Sequence, residues 1–134
     1  MKIIIYHNPE CGTSRNVLNI VRRFHGEPQV IEYLKTGWNS EQLKGLFNKS
    51  NLTPRQALRT TKSPARELGL LNPTVSDDTI FEAMLRYPIL VNRPIVCTDK
   101  GTLLCRPSET VFSLISAPSG STYEKEDGEI VIAP

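Results

Sequence analysis

"IIIYHNPECGTSRN" (residues 3–16) sets an apolar β-branched run against a punctuated loop and the polar opening of a helix. Residues 2–6 read as a buried strand, because isoleucine fits a pleated, covered surface. Pro9 and Gly12 mark "HNPECG" as a loop. Thr13 or Ser14 can cap a helix that runs to about His25, with Val17, Leu18, Val21 and Phe24 on one face at spacings of three and four. Gly26 stops it, and "QVIEYL" (29–34) follows as a second strand. Strand, helix, strand in that order is a βαβ unit, so the two strands should pair in parallel.

Outward from this unit the chain turns polar and helical. Ser40 can cap a helix carrying Leu43, Leu46 and Phe47, and "TPRQALR" (53–59) and "SPAREL" (63–68) both pair a Ser/Thr cap with a proline at the first helical position. "SDDTIFEAMLRYP" (76–88) is the clearest helix: Ser76 caps it, Asp77 and Asp78 sit at its positive end, Ile80, Phe81, Met84 and Leu85 form its apolar stripe, and Pro88 ends it. "RPIVCT" and "TLLCR" flank "DKG" and predict a β-hairpin. "PSETVFSLI" (107–115) predicts a short last helix, and residues 117–134 a loosely held tail.

With the helical middle removed, βαβ–ββα remains. That order predicts an α/β fold, a thioredoxin-like four-stranded mixed sheet in one domain over residues 1–134, with residues 36–92 as a helical insertion. Pro94, at the head of the third strand, then falls where such folds keep a cis-proline beside an active thiol.

Composition narrows the function classes. The 134 residues are 39% hydrophobic and 22% charged, as in a globular domain. A net charge of +2 is too weak to imply nucleic acid or a membrane surface, so an anionic partner must meet a local group of arginines. "MKIIIYHNP" holds only four apolar residues in a row where a secretory signal needs about seven or more, and a cytoplasmic location is expected. Three cysteines, Cys11, Cys97 and Cys105, are too few and odd for a disulfide scaffold.

A lone cysteine is most often a small buried apolar residue. That reading suits Cys97 and Cys105, which lie inside strand patterns. Cys11 differs, because it sits between a strand end and a helix start. Unpartnered N–H groups and the positive end of the helix dipole both favour its thiolate. A protonated His7 would add a positive charge nearby, and Arg15 in the first helical turn could add another. The motif is C-G-T-S, not C-x-x-C, so the resolving thiol must come from glutathione, a partner protein, Cys97 or Cys105. Arg59, Arg93 and Arg106 could combine with the thiolate into a tetrahedral oxyanion pocket, because guanidinium forks match oxyanion geometry. A cysteine phosphatase is disfavoured, since Arg15 follows Cys11 at C-x3-R spacing and not C-x5-R.

"YHNPECGTSRN", "ALRT", "ILVNRPIVCT", "LLCRPSE" and "YEKEDGE" together resemble the glutaredoxin-coupled arsenate reductases of bacteria, in order and spacing, from Ile3 to about Val131. The resemblance implies reduction of arsenate to arsenite in arsenic detoxification. Cys11 would attack arsenate, and glutathione as co-substrate and glutaredoxin would complete the reduction. It assigns Arg59, Arg93 and Arg106 to the oxyanion, His7 to lowering the cysteine pKa, and Ser14, with Gly12, to supporting the thiolate. Cys105 matches a cysteine that is not required. The resemblance implies no bound cofactor, no metal and no nucleic-acid or membrane partner, and a monomer is expected. "WNSEQLKGLF" is looser than these blocks, and the tail lacks a basic extension; neither touches a site position. The alternative is a non-catalytic thioredoxin-like module of the redox-regulator type that binds RNA polymerase, but that branch typically carries C-x-x-C.

Overall fold

The computed structural model describes residues 1–134 as two compact units, residues 1–32 with 93–134, and residues 33–92. In the first unit, β1 (Ile4–His7), α1 (Gly12–Phe24), β2 (Gln29–Glu32), β3 (Ile95–Thr98) and β4 (Gly101–Leu104) form a mixed α/β layer. The four strands lie in the order β2-β1-β3-β4. β1 runs parallel to β2, with Ile5 opposite Val30, and antiparallel to β3, with Ile5 opposite Val96. β3 and β4 form the predicted hairpin. This is the thioredoxin-like mixed sheet that the order of apolar runs predicts.

The position of β1 explains its composition. It is a central strand covered on both faces, and Ile3, Ile5 and Tyr6 are all buried. Each isoleucine contributes roughly 1.5–3 kcal/mol by leaving water. α1 lays Val17, Leu18, Ile20 and Val21 on the same core, where Val96, Cys105, Val111, Phe112 and Leu114 join them. Arg22 and Arg23 lie in its last turn, where the dipole favours cations, and Gly26 then adopts φ +129°, which other residues rarely reach.

β2 is shorter than the six residues predicted, because the chain turns into a single helical turn, α2 (Tyr33–Thr36), at Tyr33. The last predicted helix is a 3-10 segment, Ser108–Ser113. Its Phe112 meets Phe24 of α1 edge to face at 5.9 Å.

Residues 117–134 differ most from expectation. They form an antiparallel hairpin, β5 (Thr122–Glu124) and β6 (Ile130–Ile132), and not a loose tail. Alternation along β6 drives this: Val131 and then Ala133 are 5% and 2% exposed within the core, while Ile130 and Ile132 face outward. Asp127–Gly128 makes the turn, with Gly128 at φ +89°.

The second unit holds α3 (Ser40–Ser50) and α4 (Asp77–Arg86). Asn39, not Ser40, caps α3 through a reciprocal box with Gln42, and Asn51 closes the helix in the left-handed conformation. Ser76 caps α4 as predicted. Tyr33 stacks on Trp38 at 5.0 Å, and Phe47 meets Phe81 at 6.2 Å. "TPRQALR" and "SPAREL" form turns and not helices. The Thr53–Gln56 capping box is made, yet the turn does not continue into a helix, and Leu58 bridges to Val91 instead. One turn supplies too few hydrogen bonds to sustain a helix on its own. No helix is long and apolar enough to cross a membrane.

Candidate active site

The site grows from the end of β1. Asn8, Pro9, Glu10 and Cys11 make a turn closed by Cys11 N–H donating to the Asn8 carbonyl at 3.1 Å. Proline at the second position suits this turn, and the Asn8 side chain accepts from the Glu10 N–H at 2.9 Å. The turn delivers Cys11 to the N-cap of α1, so neither Thr13 nor Ser14 caps the helix. The Cys11 carbonyl accepts the first helical bond, from the Arg15 N–H at 3.0 Å. Its sulfur makes no close capping bond; the Ser14 main-chain N–H acts on it as a longer contact.

Cys11 is 6% exposed. Burial pushes its thiol pKa up, yet the opposing effects win and hold it below the ordinary value. In order, these are the Ser14 N–H, the charge of Arg93, and the hydrogen bond and charge of Arg106. Arg106 Nη1 lies 3.5 Å from the sulfur and also donates to the Arg93 carbonyl at 3.2 Å. The thiolate is therefore favoured by two guanidinium groups carried on either side of the β3–β4 hairpin. The Arg93–Pro94 peptide bond is cis, as is Arg106–Pro107.

His7 takes a different part from the one its place in the sequence suggests. It is buried, and burial lowers its pKa below the ordinary 6.5; Glu32 opposes this, while Arg22 and Arg15 add to it. Burial thus favours the neutral ring and weakens any charge that His7 lends the thiolate. Its Nδ1 instead meets the Ser14 hydroxyl at 2.6 Å. That hydroxyl also accepts from the Asn8 N–H at 3.1 Å. Ser14 thus faces Cys11 with its main chain and holds the turn with its side chain, whereas the resemblance implies a hydroxyl bonded to the thiolate.

Gly12 has no positive φ, and a Cβ there would stand 3.7 Å from Arg15 Nη2, an ordinary contact. Nothing in its backbone conformation requires glycine. Arg15 is turned onto Glu126, with Nε at 2.8 Å from Oε2. Its charge still acts on Cys11, weakly: the cysteine is among the groups that raise the Arg15 pKa, after Glu126. Cys105 is fully buried, and burial, with Cys97, pushes its thiol up to about 12, so it is a poor nucleophile. Arg59 belongs to the other unit, where it is buried and donates through Nε to the Thr61 carbonyl at 2.9 Å.

Cys11, Ser14, His7, Arg93 and Arg106 thus share one site, with Asn8 as a member that sequence reasoning passed over. Asn before Pro, directly after a strand, is a turn signal that points to it.

The ArsC family profile matches residues 6–114. An arsenate reductase of Synechocystis sp. (ArsI2) is 61% identical over 130 residues, which cover 97% of this chain and 93% of that protein. The arsenate reductase of Escherichia coli (strain K12) is 45% identical over 130 residues, 97% of this chain and 92% of that protein. Among solved structures, an arsenate reductase from Vibrio cholerae superposes with a TM-score of 0.79 at 37% identity, covering 86% of this chain and 98% of that one.

Proposed function

This chain belongs to the ArsC family, and on that premise we propose that it reduces arsenate to arsenite with Cys11 as nucleophile and glutathione and glutaredoxin as reductants. The observation that carries the reading is the placement of Arg106 Nη1 3.5 Å from the Cys11 sulfur, beside the Arg93 carbonyl. A thiolate flanked by guanidinium donors suits a reaction in which sulfur must approach an oxyanion. The cations offset the repulsion between the two negative charges and match the oxygens of a tetrahedral substrate.

The thiolate displaces one oxygen of arsenate, which leaves as water once protonated, and a sulfur–arsenic(V) bond forms. A glutathione thiol displaces a second oxygen in the same way. A glutaredoxin thiolate then attacks the glutathione sulfur and forms a mixed disulfide. The electron pair of that sulfur–arsenic bond passes to arsenic, which becomes arsenic(III). Hydrolysis releases arsenite and returns Cys11 as a thiol. One arsenate and two thiols thus yield one arsenite, one disulfide and one water. Arg93 and Arg106 hold oxygens, and the Ser14 N–H steadies the sulfur. Arg59 is assigned to the same oxyanion by the family resemblance, with no contribution to the thiolate required of it.

External thiols fit this reading: the position matching the second cysteine of a C-x-x-C motif is Ser14, and burial pushes the Cys105 thiol up to about 12. The test is arsenate-dependent NADPH oxidation coupled through glutathione reductase, with and without glutaredoxin. Turnover only with glutathione and glutaredoxin supports the whole reading. Turnover with thioredoxin alone removes the proposed coupling and keeps arsenate reduction. No turnover with any thiol donor, together with hydrolysis of an aryl phosphate, rejects the reading.

A further inference from the structure

Arg15 stands in the first turn of α1, four residues after the nucleophile, where a free cation would be drawn to the thiolate or its substrate. Every arm of its guanidinium is committed elsewhere. Nε and Nη2 grip the Glu126 carboxylate at 2.8 and 3.0 Å, and Nη1 donates to the Pro9 carbonyl at 2.7 Å. The Glu126 N–H in turn donates to the buried Asn16 side chain at 3.1 Å.

Glu126 sits on a firm mount. It lies in the β5–β6 turn, which Lys125 N–H closes onto the Glu129 carbonyl at 2.8 Å and Gly128 N–H onto the Lys125 carbonyl at 3.0 Å. Lys125 Nζ pairs with Glu109 at 3.1 Å and Glu129 at 2.7 Å. Val131 and Ala133 anchor the hairpin in the core. The last eighteen residues therefore end up bracing the turn that carries the sulfur.

We propose that Arg15 is a positioning residue for Cys11: Glu126 locks its guanidinium so that Nη1 holds the Pro9 carbonyl and fixes the Asn8–Cys11 turn at the helix terminus, without either side chain touching the substrate. The fork is what does this. A guanidinium presents donors along two edges, so it can span a carboxylate and a carbonyl at once, whereas an ammonium is a single point. The proposal rests on Cys11 being the nucleophile and adds a duty to the C-terminal hairpin.

Arg15→Lys and Glu126→Ala test it through the pH profile of Cys11 alkylation by iodoacetamide and, separately, through kcat and KM for arsenate. The lysine keeps the charge and the partner but cannot span to Pro9. Both variants should shift the alkylation midpoint upward, and both should lose about tenfold in kcat with KM within about threefold, since small misplacements of a reacting group are costly. Glu126→Ala gives the sign: a guanidinium merely released from its partner would add positive charge near the sulfur and move the midpoint down. A downward shift, or a parent-like profile in Arg15→Lys, overturns the proposal. So does a raised KM with kcat kept, which would make Arg15 a substrate ligand. If the parent enzyme does not turn over arsenate at all, the function reading fails, while the alkylation profiles still judge the clamp. Thermal unfolding of Arg15→Lys, expected close to the parent, confirms that the profile reports position in a folded chain.

Discussion

Arg106→Gln should cost Cys11 its most direct counter-charge. The guanidinium nitrogen stands 3.5 Å from the sulfur. Two unit charges at that distance interact by about 1 kcal/mol in water and by about 5 kcal/mol at an effective dielectric constant near 20. Arg106 is exposed to solvent while Cys11 is buried, so screening sets the worth of the pair near the lower end, about 1–2 kcal/mol. At a pH below the thiol midpoint, that lowers the thiolate fraction by roughly five- to thirtyfold. Alkylation by iodoacetamide, followed by mass spectrometry of the Cys11 peptide from about pH 5 to about pH 9, reads this fraction directly. The substitution removes both the charge and the hydrogen bond of Arg106, so the shift reports their combined effect. A profile in Arg106→Gln that superimposes on the parent's would refute the reasoning and leave the thiolate to the Ser14 N–H, Arg93 and the charge of Arg15.

Three further perturbations follow from burial. Folded His7 has a pKa below its unfolded 6.5, so the unfolded chain binds the extra proton; this component of stability is complete above 6.5 and is lost as pH falls towards the folded value. Urea unfolding at about pH 7 and about pH 5 should show the parent losing more stability than His7→Gln over that interval. Ser14→Ala leaves the buried Asn8 N–H and His7 Nδ1 without their shared hydroxyl and should cost about 2 kcal/mol by the same unfolding measurement. Val131→Ala removes apolar volume from the core and should destabilise by about 2 kcal/mol, an effect that a loose tail would not give in a thermal melt.

What could be read in advance depended on how local its cause was. The βαβ opening was legible because strand and helix periods are written into residues 2–34, and the place of Cys11 follows from that order alone. Arg93 was legible as a neighbour of the sulfur because it precedes Pro94, the cis-proline candidate, whereas Arg106 was only one possible member of an oxyanion pocket. The charge of His7 was not legible. Its pKa is lowered by desolvation from residues scattered along the chain, and no local pattern reports that. Arg15 reads as a free cation beside Cys11 because its partner Glu126 lies 111 positions away.

Other misses left a signal unused. Asp127–Gly128 between "STYE" and "EIVI" is a strong short-range hairpin motif, and it marks the C-terminal hairpin that composition alone reads as a tail. At "TPRQALR" the signals were present and real, since the capping box forms. No helix follows, because a cap cannot outweigh the tertiary bridge from Leu58 to Val91.

The central claim is that one buried thiolate, Cys11, carries the reduction of arsenate. The most direct measurement is arsenite formed from arsenate, in the presence of glutathione and glutaredoxin, by the parent and by Cys11→Ser at equal folded concentration. Steady turnover by the parent and none above background by Cys11→Ser is the predicted result. Arsenite formation by Cys11→Ser at the parental rate would contradict the account.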